Sequence, residues 1–355
     1  MRAVNSRLIA AMSCTLLLVA CSSAGGEGGE ATEAATAAAE EGATAAEGAG
    51  EESAAPAAEE IDYPTDTLNI VVAFSAGGVN DTMSRLLAEL LQENDLYSED
   101  IVVENLEGGS GARGWGELFS HEGDPYYMST TSGSFIATPL QADTPWTPTD
   151  FTPIALVATD EAALFVPGDA PYDTLEEFIA AAKEDPPTIA GVGAAQLDFI
   201  APTLVADQAG FEFEYVAHDG TPEAINSLLS GSTDALVRAP GPVLGLLESG
   251  DVKALALSGS EPLAALPDVP LFEDLGYDIT VSQPRAIVMP PGIEQPIVDF
   301  WIDAVEQVVE MPEWTAYLDE NAQTENVLYG EDVTAYLEEV SANYEAVLTE
   351  AGVIQ

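Results

Sequence analysis

Short apolar runs alternate with amphipathic helical patterns along most of the chain. Residues 68–74 (LNIVVAF) form a largely apolar run that predicts a buried strand, and residues 81–91 place their apolar side chains on one helical face. Because strands separated by helices form mainly parallel sheets with right-handed crossovers, this alternation predicts an α/β fold. Further strands are predicted at residues 101–104, 126–131, 163–166, 188–191, 213–216, 235–237 and 252–257.

The C-terminal quarter of the chain shows a helical pattern only. Apolar residues follow one stripe over residues 297–308 and another over residues 333–347. Such stripes are typical of helices that pack against a sheet, so no chemistry is assigned to them.

The first residues have the layout of a bacterial lipoprotein signal. Arg2 and Arg7 give a basic start, an apolar core follows over residues 8–20, and Leu-Val-Ala precedes Cys21. A plain secretory peptide and a helix that stays in the membrane are the alternatives, but the apolar run is shorter than the roughly 20 residues of a membrane span. We therefore expect residues 1–20 to be a signal peptide and Cys21 to carry lipid on the extracytoplasmic face of the cell membrane, at the cell surface or in the periplasm.

The next segment, residues 21–61, is almost entirely Ala, Glu, Gly, Thr and Ser. Such a segment cannot bury enough apolar surface to offset its ordering entropy. We expect a disordered acidic tether that gives the lipid anchor reach. The rest of the 355-residue chain is rich enough in apolar residues for about two domains.

The chain is strongly acidic, with 62 Asp and Glu residues against 8 Lys and Arg residues and a formal net charge of -54. A charge of this size repels nucleic acid and anionic lipid head groups, so neither is expected as a partner. Acidic surfaces that are poor in lysine also stay hydrated in salt-loaded environments, where molar salt screens the self-repulsion. The composition therefore indicates a halophilic source.

Residues that commonly carry catalysis are few. The only cysteines are Cys14 and Cys21; the first leaves with the signal and the second is expected to be acylated. His121 and His218 are the only histidines, and no metal-binding spacing surrounds them. The abundant carboxylates are typical of a solvated surface rather than of a tuned acid/base pair. We therefore expect a protein that is not an enzyme and that holds no metal and no cofactor.

The sharpest local motif is a glycine turn between the first strand and the first helix. Residues 73–82 (AFSAGGVNDT) run from the strand through a glycine pair into the helix. The glycines let backbone N–H groups approach a ligand closely, and the helix N-terminus behind them carries partial positive charge, which suits a carboxylate. The alternative is that the glycines serve turn geometry alone and that Asn80 or Asp81 is only a helix cap.

Three further turns follow predicted strands. Residues 107–114 (EGGSGARG) lack the GK[ST] ending of a phosphate loop, and Ala112 breaks a GxSxG elbow, so neither nucleotide hydrolysis nor serine hydrolase chemistry is indicated. Residues 131–134 and 191–196 place small or hydroxyl side chains at the carboxyl ends of strands, where open α/β sheets bind ligands.

A set of short motifs in a fixed order gives the chain a family resemblance. The motifs are residues 63–64 (YP), 74–78 (FSAGG) with Asp81, 102–105 (VVEN), 150–155 (DFTPIA), 228–231 (LLSG) and 264–270 (AALPDVP). In their order and spacing, the chain resembles the solute receptors of tripartite tricarboxylate transporters, also called the Bug family. The resemblance implies a two-lobed Venus-flytrap fold of the type II periplasmic-binding pattern, each lobe a mainly parallel sheet flanked by helices. It also implies a small organic carboxylate as ligand and integral membrane transporter subunits as partners.

The resemblance further implies which residues contact the ligand. In that family, the loop after the first strand and its neighbour in the first lobe grip one ligand carboxylate, partly through ordered water. The matching positions are Phe74, Ser75, Gly77, Gly78, Asp81, Ser132 and Ser134 in the first lobe, and Gly193, Ala194, Gln196, His218 and Gly220 in the second.

Some positions depart from the family pattern. Arg238 stands where many relatives have Asp, and Pro284 or Arg285 stands where an aromatic residue commonly covers the site. Arginine suits a further ligand carboxylate through bidentate hydrogen bonds, which favours a di- or tricarboxylate. The alternative for both arginines is a structural ion pair with a nearby acid. His218 replaces a common Tyr and is expected either to hydrogen-bond the ligand or to fill the wall of the cleft.

The resemblance divides the chain into two lobes, lobe I over residues 62–164 and 259–355 and lobe II over residues 165–258. The hinge is expected where the chain crosses, near residues 164–167 and 257–260. Closure of the lobes would exclude water and strengthen the polar contacts to a carboxylate. An extracellular carboxylate sensor that serves a signalling receptor without transport is the alternative function, and a surface interaction protein with a vestigial cleft is another.

Overall fold

The computed structural model describes residues 62–193, 196–218 and 220–354. The predicted signal peptide, the predicted tether and Cys21 lie outside the described residues, and so does Ala194. In the described part of the chain, no helix is both long enough and apolar enough to cross a membrane.

The described strands and helices alternate for most of the chain. The strands are β1 (Leu68–Val72), β2 (Ile101–Asn105), β3 (Tyr127–Thr130), β4 (Thr152–Glu161), β5 (Ala163–Pro167), β6 (Thr188–Val192), β7 (Glu214–His218), β8 (Ala235–Arg238), β9 (Val252–Leu257), β10 (Ser282–Met289) and β11 (Thr324–Tyr329). The helices are α1 (Val79–Glu93), α2 (Ala112–Ser120), α3 (Gly133–Gln141), α4 (Leu175–Glu184), α5 (Leu197–Ala209), α6 (Thr221–Leu229), α7 (Leu244–Ser249), α8 (Gln295–Val309), α9 (Pro312–Glu320) and α10 (Glu331–Glu350). Every strand that the apolar runs predict is present, whereas the sequence pattern does not predict β4, β10 or β11.

The strands form two sheets. The first has the order β11-β4-β10-β3-β1-β2 and the second has the order β7-β6-β8-β5-β9. In the first sheet, β1 pairs in parallel with β2 and β3, whereas β10 is antiparallel to β3 and β4. In the second sheet, β6 pairs in parallel with β7 and β8, whereas β5 is antiparallel to β8 and β9. Four of the six strands in the first sheet and four of the five in the second share a direction, so each sheet is mixed, and the predicted two-sheet α/β fold is confirmed.

The chain passes from the first sheet to the second beside Ala162, which separates β4 from β5. Ala163 and Leu164 already pair with strands of the second sheet, so this crossing lies before the predicted one at residues 164–167. Asp160 and Glu161 interrupt the apolar run directly before this point, but no glycine or proline separates β4 from β5, so the sequence pattern does not mark the crossing.

The return to the first sheet comes later than the predicted crossing at residues 257–260. Between the end of β9 and the start of β10, Leu271, Phe272 and Ile279 pack in apolar clusters with strands of the second sheet. This segment, which the sequence assigns to lobe I, therefore lies against lobe II. We propose lobe I as residues 62–161 and 282–354, and lobe II as residues 163–281.

Helices cover both faces of the first sheet. The buried side chains of α1 and α8 pack on one face around Trp301, and those of α2, α3 and α10 pack on the other around Trp115 and Tyr344. Trp301 and Tyr344 belong to the two predicted C-terminal stripes and are fully buried, which confirms these stripes as core. Full burial of one large apolar side chain contributes about 1.5–3 kcal/mol, so these rings fix the helices against the sheet.

Candidate ligand-binding site

A cavity of about 340 Å³ lies between the two sheets. Lobe I lines it with the turn before α1, with Asp160 at the end of β4 and with Arg285 near the start of β10. Lobe II lines it with Asp198 in the first turn of α5 and with Arg238 at the end of β8. The structure therefore places both arginines of the predicted site at one cavity.

The turn between β1 and α1 presents an open helix N-terminus to this cavity. Gly77 lines the cavity with a left-handed backbone of φ 80°, which glycine adopts without strain. Gly78 directly precedes α1, and no side chain caps the helix there. The first-turn N–H groups of such a helix are available to an anion, and the helix dipole favours negative charge at this end.

Asp81 holds this turn in place. Its carboxylate accepts hydrogen bonds from the backbone N–H of Gly77 at 2.8 Å and from the Asn105 side chain at 2.9 Å, and it pairs with Arg85 at 2.8 Å. The hydrogen bond from Arg85 is the largest of the effects that lower the pKa of Asp81 to about 2, and burial acts in the opposite direction. The sequence predicts Asp81 as a ligand contact; in the structure it lies outside the cavity lining and organises the turn.

Arg285 belongs to a buried polar wall of the cavity. Its two terminal nitrogens donate to the side chains of Asn80 and Asp160. Gln283 and Gln323 donate to the same Asp160 carboxylate, at 2.9 Å and 2.6 Å. Arg285 therefore forms the structural ion pair that the sequence leaves open as an alternative, and both of its terminal nitrogens already have a partner.

Arg238 is held less firmly. It makes one contact with Asp198, from Nη1 to Oδ2 at 3.3 Å, and its side chain is 18% exposed. The same carboxylate oxygen accepts the backbone N–H of Val192 at 2.9 Å. Burial raises the pKa of Asp198, whereas the charge of Arg238 acts to lower it. Because a single contact uses only one edge of a guanidinium group, Arg238 keeps donors for a ligand carboxylate.

The other predicted contacts of lobe I lie beside the cavity lining. Phe74 packs edge-to-face against Trp115, with ring centroids 5.6 Å apart, and Ser75 is exposed. Ser132 and Ser134 are buried at the start of α3. Within the described residues, the Ser132 hydroxyl has no hydrogen-bond partner.

In lobe II, the structure brings one of the predicted turn residues into the cavity lining. Gln196 directly precedes α5 and lines the cavity. Gly193 lies on the turn before it and donates its backbone N–H to the carbonyl of His218 at 3.1 Å. His218 ends β7 and Gly220 precedes α6, and both lie outside the cavity lining. The His218 Nε2 atom is buried without a partner in the described part of the chain.

Sequence reasoning missed several residues that line the cavity. They are Asp160 and Asp198, which pair with the two arginines, together with Gln283, Asn321 and Gln323. In a chain with 62 acidic residues, no local signal separates a buried, paired carboxylate from a surface one. Their positions beside strand ends and helix starts were the only available sign.

The polar groups of the cavity suit reversible binding rather than bond chemistry. Among the described residues, no group of three or more His, Cys, Asp or Glu side chains is placed to hold a metal ion. Backbone N–H groups, amides and arginines supply donors, and each arginine already has an acidic counter-charge. Such a surface offers an anionic ligand hydrogen bonds in place of its water shell.

Comparison with known proteins identifies relatives over most of the folded part. The chain matches the model of the tripartite tricarboxylate transporter family receptor over residues 83–353. The Bordetella pertussis protein BugT is 27% identical over 66% of this chain and 74% of its own length. A UPF0065 protein from Cupriavidus necator is 26% identical over 74% of this chain and 80% of its own length.

Solved structures share the fold. A TctC solute binding protein from Polaromonas is 26% identical, with a TM-score of 0.72 over 81% of this chain and 99% of that chain. Two Rhodopseudomonas palustris proteins, each 23% identical, are similar in fold. MatC with bound malate has a TM-score of 0.67 over 81% of this chain and 100% of its own chain. Rpa4515 with adipate has a TM-score of 0.71 over 82% of this chain and 99% of its own chain. Members of this family are solute-binding receptors and not enzymes, as the sequence predicts. Since the family model covers more than half of the sequence, the chain belongs to the receptors of the tripartite tricarboxylate transporter family.

Proposed function

We propose that this chain is an extracytoplasmic, lipid-anchored solute-binding protein. It captures a small organic carboxylate between its two lobes, with a di- or tricarboxylate favoured, and hands it to the membrane subunits of a tripartite tricarboxylate-type transporter. The observation that carries the proposal is the cavity between the sheets, which is lined both by the open N-terminus of α1 and by Arg238.

Lobe I binds one ligand carboxylate. The first N–H groups of α1 supply the backbone donors, whereas the N–H groups of Gly77 and Gly78 are donated within the turn, to Asp81 and Ser75, and hold it in place. Backbone donors hold an anion without ordering a long side chain, so little conformational entropy is lost on binding. The remaining contacts of this lobe are Phe74 as an apolar wall, and Ser132 and Ser134 through bridging water.

Lobe II binds the other end of the ligand. Arg238 has one long contact with Asp198, and its remaining donors suit a bidentate pair with a second carboxylate. Gln196 lines the same side of the cavity and adds an amide to this end, while Gly193, His218 and Gly220 lie behind this lining and support it. A ligand held by both lobes at once favours the closed form and shifts the population towards it.

Two structural neighbours support a dicarboxylate ligand. MatC was solved with malate and Rpa4515 with adipate, and each of these molecules carries a carboxylate at both ends. The cavity of about 340 Å³ lies in the range of small-molecule sites. A ligand with two carboxylates matches the two donor groups, one on each lobe, that the cavity offers.

Calorimetric titration in molar KCl tests the ligand class. Mono-, di- and tricarboxylates and acidic amino acids are titrated into the wild type, Arg238→Ala and Arg113→Ala. Arg113 is exposed and lies outside the cavity lining, so its variant controls for the loss of one positive charge. We expect the control to bind like the wild type, and Arg238→Ala to bind the best di- or tricarboxylate at least about tenfold more weakly. The ligand assignment is wrong if no carboxylate binds, or if Arg238→Ala leaves the affinity unchanged.

Attachment to the membrane rests on the N-terminal sequence. Cys21 follows an apolar signal core, and residues 21–61 separate it from the first strand. A lipid on Cys21 would hold the receptor close to the membrane subunits while the tether gives it reach. We expect the wild type in the membrane fraction of cells and Cys21→Ala in the soluble extracytoplasmic fraction. Equal recovery of both proteins with the membrane would argue against this anchor.

A further inference from the structure

The loop between α9 and β11 reaches across the cavity to lobe II. Asn321 directly follows α9, and its backbone lies against Gly241, in the turn after β8. A Cβ atom on Gly241 would be 2.5 Å from the Asn321 carbonyl oxygen and 3.0 Å from its carbonyl carbon. Both residues line the cavity, so this contact between the lobes closes one edge of it.

Close approach, and not backbone conformation, is what requires glycine at position 241. Gly241 does not share the left-handed backbone of turn glycines such as Gly77. It begins a short helical turn, a conformation that alanine adopts readily. The atom in the way is a backbone oxygen at the end of a helix, which cannot rotate aside as the tip of a flexible side chain can. The missing side chain at Gly241 is therefore what lets the two lobes come together here.

The next residues of the loop tie lobe II to the polar wall of the cavity. Ala322 is 2% exposed and belongs to an apolar cluster that includes Val243 and Leu263 of lobe II. It has a φ of 50°, a left-handed backbone that residues other than glycine rarely adopt. Gln323 donates to Asp160, the partner of Arg285, at 2.6 Å. The loop thus connects the ligand wall of lobe I with the surface of lobe II.

We infer that Gly241 is a positioning residue that sets how far the two lobes close on the ligand. It acts through its contact with the Asn321 backbone, because a side chain at position 241 would hold the cavity edge open. The apparent affinity of a receptor falls in proportion to the fraction of protein that can reach the closed state. The effect on affinity rests on the proposed function, whereas the effect on the separation of the lobes does not.

Graded substitutions separate an effect on closure from an effect on folding. Gly241→Ala and Gly241→Val place growing side chains against the Asn321 carbonyl, and Gly245→Ala is the matched control because a Cβ on Gly245 meets nothing within 4 Å. We expect the dissociation constant of the best carboxylate to rise at least about tenfold in Gly241→Ala and further in Gly241→Val, through faster release. Gly245→Ala should bind like the wild type. Thermal unfolding without ligand should show that Gly241→Ala still unfolds in one cooperative transition, which separates a loss of affinity from a failure to fold.

The separation of the lobes is measured directly by pulsed electron resonance between two spin labels. The exposed positions Val102 in lobe I and Leu229 in lobe II are changed to cysteine in the full chain, with Cys14→Ser and Cys21→Ser. Longer distances in Gly241→Ala than in Gly245→Ala support the inference, and identical distance distributions overturn it. If the wild type binds no carboxylate in the titrations, the proposed function fails, and the distance comparison still decides the role of Gly241.

Discussion

Glu161 gives the protein a pH-dependent stability that one substitution removes. It is the last residue of β4, beside the crossing between the lobes, and it is 4% exposed. Its two carboxylate oxygens accept hydrogen bonds from the hydroxyls of Thr159 and Thr324, each at 2.8 Å. Burial raises the pKa of Glu161 from 4.5 to about 7; the two hydroxyls oppose this rise and the charge of Asp160 adds to it.

The direction of the effect follows from the raised pKa. The folded protein favours the protonated carboxyl, so this contribution to stability is fully present below pH 4.5 and is lost as the pH rises through about 7. A shift of this size corresponds to about 3 kcal/mol of unfolding free energy. Glu161→Gln keeps the shape and both contacts, because an amide accepts from one hydroxyl and donates to the other. We expect the variant to match the wild type near pH 4.5 and to exceed its unfolding free energy by about 3 kcal/mol at pH 8.

Urea unfolding at fixed molar salt, at pH 4.5 and pH 8, measures this difference. Glu261→Gln is the matched control, since Glu261 is exposed and lines the same crevice as Glu161. The control should follow the wild type at both pH values. If the unfolding free energies of the wild type and of Glu161→Gln change by the same amount between pH 4.5 and pH 8, burial of Glu161 does not govern the charge of its carboxyl group.

Three other perturbations have defined outcomes. Asp81→Asn should lower the unfolding free energy at pH 7 by about 1–2 kcal/mol, because the pKa of about 2 lies below the ordinary 3.8 and the half-exposed Arg85 weakens the pair. In urea unfolding, this deficit should shrink as the pH falls from 4 through 2. Arg285→Ala should lower the unfolding free energy by about 3–5 kcal/mol, since it leaves Asp160 buried without its partner; an unchanged urea midpoint would refute the buried wall. The thermal midpoint should rise from dilute buffer to molar KCl, because salt screens a net charge of -54, and equal midpoints would count against a halophilic source.

The hydrophobic pattern predicts the strands that are short, evenly apolar and bounded by turns. It misses β10, which carries Pro284 and Arg285 in its sequence, and β11, a partly exposed edge strand. It also misses β4, which is followed after one residue by β5 with no turn residue between them. β4 and β10 lie where the chain crosses between the sheets, so their sequences serve the crossing and the cavity as well as the core. The position of the hinge is therefore the part of the fold that the pattern locates least well.

Some features of the site can be predicted from local sequence, whereas others depend on tertiary contacts. The glycine turn before α1 is predicted because turn glycines and a helix start are local signals. Arg238 and Arg285 stand out because the chain has only 8 basic residues. Their different roles depend on tertiary packing: Arg285 meets Asn80 and Asp160 in a buried wall, whereas Arg238 meets Asp198 through one long contact. No sequence pattern shows which of many acids each arginine will meet.

A crystal structure of the protein with its tightest-binding carboxylate tests the central claim most directly. We expect the ligand in the cavity between the two sheets, with one carboxylate within hydrogen-bond distance of the N–H groups at the start of α1 and the other end at Arg238. A ligand bound at another place, or an α1 N-terminus whose N–H groups are covered by protein, would contradict the account.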